Sequence, residues 1–428
     1  MPHQPRPYRA LRHRDFARLV GSQVLSVTGS QMQVVAINWQ VYRLTHSPLA
    51  LGFIGLTRVL PIIVFSLWAG VLADRHDRRR VMMVTQLTMT AVALALAAVT
   101  FTDRATLWLI YGLNALSAAA GAFDGPSRQA LIPRLVPTED LPGALSLNFS
   151  AFQVSTIAGP ALAGAVIAAA PADERGLALI YVLNALSFLA VIAALALMRT
   201  SGAVPAADRP PAHPITALSQ GLRFVFSTPL IVWTMSLDFL ATFFSGSMSL
   251  LPIFADQVLH VGAGGYGILA SAPAVGALAG SLYLSLRPMS DRQGRVFLWA
   301  VGAYGAATVL FGLSRVFWLT VLGLAAAGLA DAISTVIRQT LRQFATPDAL
   351  RGRMTSVNMI FFMGGPQLGE LEAGFVASLF ASAAVGVTVS VVSGGLATIL
   401  ITAAIAARAP LLRRYDFRDA VQRTENAT

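Results

Sequence analysis

Runs of mostly apolar residues, each long enough to cross a bilayer, alternate with short polar loops along the whole chain. They cover about 17–42, 49–73, 80–101, 105–126, 143–170, 177–198, 229–254, 264–286, 295–313, 316–338, 354–381 and 384–407. A membrane-spanning helix needs about 20 such residues. Hydrocarbon offers the backbone no hydrogen-bonding solvent, so a run of this length must satisfy itself as a helix. The pattern predicts an all-α integral membrane protein with twelve transmembrane helices. An even number puts both termini on one side. Arginine decides which side, because short cytoplasmic loops carry the positive excess. With the termini in the cytoplasm, Arg43, Arg104, Arg175 and Arg315 fall in outer loops and Arg58 falls within a helix. The other 26 of the 31 basic residues, all arginine, are then cytoplasmic. Only 12% of the residues are charged, against about 25% in a soluble chain.

The runs divide into two sets of six. The expected organisation is an N-terminal cytoplasmic segment (1–16), a six-helix bundle (17–198), a cytoplasmic linker (199–228), a second six-helix bundle (229–407) and a cytoplasmic tail (408–428). The linker contains Pro205, Pro210, Pro211 and Pro214, which favour extended chain. Its second half places Leu218, Leu222, Val225 and Phe226 at helical spacing. That half reads either as an amphipathic helix on the inner membrane surface or as plain linker. A constant shift of 210 residues pairs many positions of the two halves, although the echo of the loop after the second run, Asp291-Arg292-Gln293-Gly294-Arg295, is displaced by several residues. It pairs Arg128 with Arg338, Gln129 with Gln339, Pro137 with Pro347, Asn148 with Asn358, Trp108 with Trp318, Gly70 with Gly280, Gly159 with Gly369 and Gly164 with Gly374. Apolar bias alone does not align such residues, so the halves read as copies of one unit.

Several chemistries are excluded. The net charge of +11 is spread over short loops, which is a topology signal rather than a nucleic-acid surface. With no Lys, neither a Walker-type phosphate loop nor a Schiff base is available, and with no Cys there is no thiol chemistry. The six His residues have no metal-ligand spacing. Gly262-Ala263-Gly264-Gly265-Tyr266-Gly267 matches a dinucleotide fingerprint, but no strand precedes it, as the motif requires. No cofactor, metal or enzymatic activity is expected. The N-terminal apolar run is too long for a cleavable signal, so none is expected.

The most distinctive loop is Gly70-Val71-Leu72-Ala73-Asp74-Arg75-His76-Asp77-Arg78-Arg79-Arg80, between the second and third runs. It reads either as a stop-transfer charge cluster or as a latch whose ion pairs hold one conformational state. Gly70, Asp74, Arg75, Arg78 and Arg79 resemble the signature loop of the major facilitator superfamily, with Asp77 standing where that pattern usually has Gly. The resemblance covers about residues 10 to 408 and implies parallel six-helix halves around a central site. Arg128 and Arg338, at the inner ends of the fourth and tenth helices, are expected either to serve the same latch or to anchor at the membrane surface. Gly159, Pro160 and Gly164 in the fifth helix resemble the element found in exporters of the superfamily that run as antiporters; generic helix packing is the alternative.

Charged groups within the runs are the most informative, because each costs about 2.5–3.5 kcal/mol or more at mid-bilayer. They are Arg58, Asp124, Asp238, Asp331, Glu370 and Glu372. Asp238, Thr242, Ser245 and Ser249 are spaced to share one helical face, and Gln23, Ser26, Ser30 and Gln33 form a comparable stripe. The superfamily's first and seventh helices line its central cavity, so both stripes are expected as cavity walls. Phe243, Phe244, Phe361 and Phe362 are possible apolar surfaces, and the repeat pair Asn148 and Asn358 are further candidates. A low-dielectric site disfavours a carboxylate's charged form. Asp238 or Glu370 is therefore expected either to carry a proton or to sit in a permanent ion pair, for example with Arg58. Asp331, Asp124 and Arg58 complete the proton-coupling candidates.

Leu11-Arg12-His13-Arg14-Asp15-Phe16, Asp74-Arg75-His76-Asp77-Arg78-Arg79 and Thr346-Pro347-Asp348-Ala349-Leu350-Arg351-Gly352-Arg353 resemble the branch of enterobactin exporters and drug-efflux proteins. That resemblance implies a monomeric, multi-pass protein of the bacterial inner membrane. It would export a small organic molecule, a siderophore or drug-like amphiphile, against entering protons. An uptake carrier of the same fold, or a non-transporting receptor or scaffold, are the alternatives; buried acids would give a scaffold nothing in return for their cost.

Overall fold

A computed structural model of the chain describes residues 7–170, 174–200, 202, 214–286, 292–347 and 350–416. Among these residues every regular element is helical and no strand occurs. The first half comprises α1 (Arg14–Thr45), α2 (Pro48–Arg75), α3 (Arg78–Phe101), α4 (Leu107–Leu131), α5 (Leu141–Ala169) and α6 (Arg175–Ala196). The second comprises α7 (Pro214–Ser227), α8 (Pro229–Phe244), the single turn α9 (Leu251–Ile253), α10 (Gly262–Leu286), α11 (Gln293–Leu313), α12 (Phe317–Ala345), α13 (Arg351–Ser378), α14 (Ala383–Arg408) and the short α15 (Pro410–Arg413).

The apolar runs fall on helix, except that the seventh is interrupted at 245–247. Among the described residues, nine helical spans are long and apolar enough to cross a membrane. The helices α1, α4 and α13 are as long but lie outside that set, because they carry Gln, Asn, Asp, Arg and Glu side chains. The dinucleotide-like glycine run opens α10, with Gly262 in the left-handed region at φ +59°. Large apolar side chains point outward, including Trp108 at 80% exposed and Trp299 at 79%. Exposed apolar surface on this scale requires lipid rather than water.

The chain forms two compact units: Met1–Leu44 with Thr57–Pro211, and Thr45–Leu56 with Ala212–Thr428. The first turns of α2 thus group with the second unit, where Gly52 lies against the backbone of Glu370 and Gly374.

In the first unit, polar side chains sew α1 to α3 and α6. The Asn184 amide donates to Gln33 Oε1 at 2.8 Å, Tyr181 donates to Gln40 Oε1 at 2.7 Å, and Gln40 donates to Thr100 at 2.9 Å. Such bonds satisfy groups that hydrocarbon would otherwise leave unpaired. Gly159 brings α5 onto α1, since a Cβ there would stand 2.8 Å from the Thr28 carbonyl. In the second unit Gly369 does the same between α13 and α8, where a Cβ would stand 2.8 Å from the Thr242 carbonyl. The two glycines are related by the 210-residue shift, and each packs its helix on the first long helix of its own half.

The loop before α3 has a clear structural logic. Asp77, the departure from the superfamily pattern, is the N-cap of α3 and accepts from the Arg79 and Arg80 amides at 2.9 and 3.3 Å. Capping satisfies donors that a helix start leaves orphaned. Arg78 donates to the Ala130 carbonyl at 2.9 Å, and Arg79 to the Ala196 and Met198 carbonyls at 3.0 Å each. Both arginines therefore cap the C-terminal ends of α4 and α6, where positive charge is favoured. Gly70, Asp74 and Arg75 lie in the last turns of α2, and their side chains are outside the described residues. Asp348 and Ala349 are also outside them.

The linker starts against this loop. The Arg78 amide donates to the Gly202 carbonyl at 3.1 Å. Asp15 accepts from the Arg199 and Thr200 amides and the Thr200 hydroxyl at 3.0, 3.0 and 2.8 Å. Residues 203–213 lie outside the described set. The second half of the linker is the helix α7, and its Val225 packs with Ile231, Met235, Met354 and Val357.

Asp15 precedes the apolar run of α1. Burial works to raise its pKa, but the Thr200 and Arg199 hydrogen bonds and Arg18 outweigh it and hold the carboxyl below its ordinary value. A depressed folded-state pKa gives stability that is present above the unfolded pKa and lost as pH falls through the folded one. Asp15→Asn is therefore expected to lower the melting temperature near neutral pH, with the deficit shrinking as the carboxylate range is crossed. Melting curves of both proteins in detergent against pH check this; a deficit independent of pH contradicts it.

Candidate functional site

Two polar clusters form, one in each unit. In the second unit, Arg338 of α12 is 2% exposed and Asp238 of α8 is 4% exposed. Their side chains form an ion pair. Arg338 also faces Asp331 at 3.7 Å. Its guanidinium donates to the Ser334 and Thr335 hydroxyls at 3.0 and 2.8 Å, and the Phe362 ring lies 6.0 Å below it. One turn along α12, buried Arg342 bonds to the Arg338 carbonyl at 3.1 Å and to Asn358 of α13. Two arginines thus balance two carboxylates. Asp238 is enclosed, whereas the Asp331 side chain remains partly exposed. A small cavity lies among Asp238, Thr242, Tyr304, Asp331 and Arg338.

The stripe expected on the seventh run needs correction. The helix α8 stops at Phe244, and Ser249 lies in a 3-10 turn beyond it, so the four residues do not share one helical face. Gly246 lies in this break and packs closely on α13, since a Cβ there would stand 3.1 Å from Gly369. Asp238 and Thr242 line the small cavity, while Ser245 bonds to Thr398 at 2.8 Å. Ser249 is fully buried. Phe243 stacks on Phe239 at 6.0 Å and meets Phe244 edge-on at 5.1 Å. Glu370 is buried on α13, where a Cβ on Gly55 would stand 3.0 Å from its Oε2.

In the first unit a cavity of about 340 Å³ is lined by Gln23, Ser26 and Ser30 of α1, Gln86 of α3, and Asp124 and Arg128 of α4. Its apolar wall includes Met82, Met89, Phe152 and Phe188. Asp124 is 6% exposed and accepts from Gln86 Nε2 at 3.0 Å and Thr85 Oγ1 at 3.3 Å. Arg128 Nε stands 4.0 Å from Asp124. Gln33, expected in the same stripe, turns to Asn184 instead. Arg58 and Asn148 are half-buried.

Sequence reasoning grouped Arg338 with the latch and named Arg58 as a possible partner of Asp238. The structure puts Arg338 itself beside Asp238. It also adds Arg342, Tyr304, Thr85 and Gln86. Arg342 had a signal: it lies four residues after Arg338, on the same helical face. Gln86 is a lone amide in an apolar run, which is costly unless something bonds it.

Removing one partner of a buried pair leaves the other charge uncompensated, which costs about 3–5 kcal/mol. Asp238→Ala is expected to lose about that much stability, and Asp238→Ala with Arg338→Leu to recover most of it. Denaturant unfolding in detergent micelles compares them, and equal losses in the single and double variants contradict the pairing.

Comparison with known proteins agrees with this architecture. A family model described as transmembrane secretion effector matches residues 6–426. The chain is 28% identical over 346 residues to the enterobactin exporter EntS of Citrobacter koseri, covering 81% of each. It is 27% identical over the same length to EntS of Shigella boydii serotype 18, again covering 81% of each. Among solved structures, a bacterial homologue of the human lysosomal transporter Spinster has a TM-score of 0.72 at 15% identity, with 97% of this chain and 100% of that one covered. The nucleoside transporter NupG has a TM-score of 0.72 at 13% identity, covering 92% and 98%. These structural likenesses show the fold.

Proposed function

The chain belongs to the transmembrane secretion effector family of the major facilitator superfamily, and from that premise we propose that it exports a small organic molecule from the cytoplasm by proton antiport. It is a multi-pass inner-membrane exporter; the coupling ion, the substrate and the moving parts are the proposal. Twelve crossings with both termini in the cytoplasm are supported by the arginine distribution and by the lengths of α1, α4 and α13. We take the protein to act as a monomer, alternating access between its two sides.

One observation carries the coupling: Arg338 is held between Asp238 and Asp331. A guanidinium stays charged at any accessible pH, so only the carboxylates can change state. A proton arriving at Asp331 or Asp238 removes one of the two charges holding Arg338. The arginine then rests on the remaining carboxylate and is free to shift toward it. Substrate displaces the proton, and the reverse shift follows. Asp238 is taken as the carrier because protonating it would release the Arg338 it is paired with. The Gly159-Pro160 crossing on α1 and its counterpart at Gly369 on α8 give close contacts along which helices can pivot.

The energetics suffice. About 100 mV supplies roughly 2.3 kcal/mol per charge, and one pH unit about 1.4 more. One proton then sustains a gradient of several hundred-fold for a neutral substrate. The named relatives export enterobactin, so siderophores head the substrate panel, followed by drug-like amphiphiles. Inverted vesicles with an acidified lumen are expected to accumulate the cognate compound and to release it when a protonophore is added. Accumulation that ignores the pH gradient contradicts proton antiport, and uptake in the opposite sense contradicts export.

A further inference from the structure

We propose that the cavity of the first unit is a recognition site for a neutral secondary amide carried on an aromatic ring. This rests on the export reading above, and it names the chemistry of the cargo. The starting observation is a pair of buried amides with unused hydrogen-bonding atoms. Gln23 is 6% exposed and Gln86 is 4% exposed. Neither Gln23 Nε2 nor Gln86 Oε1 has a hydrogen-bond partner, and both side chains line the cavity. A buried polar atom left unbonded is costly, so its persistence in a roomy polar pocket points to something that binds there.

The orientation of Gln86 follows from its neighbour. Its Nε2 lies 3.0 Å from Asp124 Oδ1. The nitrogen donates to Asp124, which leaves Oε1 as the unbonded atom. Gln86 therefore offers an acceptor, while Gln23 on another helix offers a donor. A ligand that satisfies both needs a donor and an acceptor on separate atoms. A secondary amide has them on opposite edges of one plane.

Charge selects neutrality. Asp124 and Arg128 stand 4.0 Å apart and already oppose each other. A charged ligand would leave one of them unbalanced in a low-dielectric wall. The remaining wall selects the body of the ligand. Met82, Met89, Phe152 and Phe188 are thioether and ring surfaces, which favour an aromatic group through edge and sulfur contacts. At about 340 Å³, the cavity lies in the range of small-molecule sites.

The test uses purified full-length protein in detergent and three small probes: N-methylbenzamide, N,N-dimethylbenzamide and benzoate. Binding is read by ligand-observed NMR and by thermal shift. N-methylbenzamide is expected to bind best. The dimethyl compound has no N–H for Gln86 Oε1, and an unmet buried acceptor should weaken it about 10-fold or more. Gln86→Leu should erase that discrimination between the two amides, because the acceptor is gone. Gln23→Leu should weaken both amides while preserving their ratio. A folded Gln86→Leu protein that still separates the two amides overturns the proposal. So does wild-type protein that prefers benzoate, or that binds none of the three because the cavity holds water only. Binding is measured without any gradient. Failure here with gradient-driven export intact sinks the amide site alone, and the converse sinks the export reading alone.

Discussion

A guanidinium held between two carboxylates inside a membrane helix bundle is the constraint on which the second unit depends. Each ion in hydrocarbon is expensive alone. Arg338, Asp238 and Asp331 survive because each is the others' compensation, and the Ser334 and Thr335 hydroxyls and the Phe362 ring take up part of the guanidinium's remaining capacity. Well-packed apolar residues would serve stability as well or better. What the ionic arrangement adds is sensitivity: a proton on one carboxylate changes the balance at Arg338, and an apolar core has no such response.

The two units share a plan and differ in where the acid sits. Gly159 sets the crossing of α5 on α1, and Gly369 sets that of α13 on α8. Arg128 and Arg338 occupy matching positions on α4 and α12. In the first unit the carboxylate near the arginine is Asp124, one turn away on the same helix. In the second, the position matching Asp124 is Ser334, and besides Asp331 of the same helix at 3.7 Å a closer carboxylate comes from α8. An i,i+4 pair on one helix moves as one body. A pair bridging two helices ties their relative position to the charge state. That difference is why the coupling is assigned to the second unit and recognition to the first.

Much of the fold was legible because hydrocarbon imposes one rule on every helix. Run length gave the helices, and the loops fell between them within a few residues. The repeat pairs Gly159 with Gly369 and Trp108 with Trp318 were readable as letters before their packing was known. Tertiary contacts were harder to read. The spacing of Asp238, Thr242, Ser245 and Ser249 was helical, yet α8 ends at Phe244 among them, and the local signal, a single Gly246 in an apolar run, is one that membrane helices often tolerate. Arg338 read as part of a cytoplasmic latch or as a surface anchor because the tenth run stops there, whereas α12 continues to Ala345 and Arg338 is buried. Gln33 shared a stripe with Gln23 but found Asn184, a partner 151 residues away. Pair choices of this kind depend on which helices meet.

The central claim is that the charge on Asp238 governs the coupling of protons to cargo. The most direct measurement is proton flux per molecule transported, in proteoliposomes containing wild-type protein, Asp238→Asn or Glu370→Gln. The account predicts coupled flux in the wild type and in Glu370→Gln. Asp238→Asn should lose coupled flux but still exchange cargo across the bilayer without a gradient. Full coupling in Asp238→Asn would contradict the account.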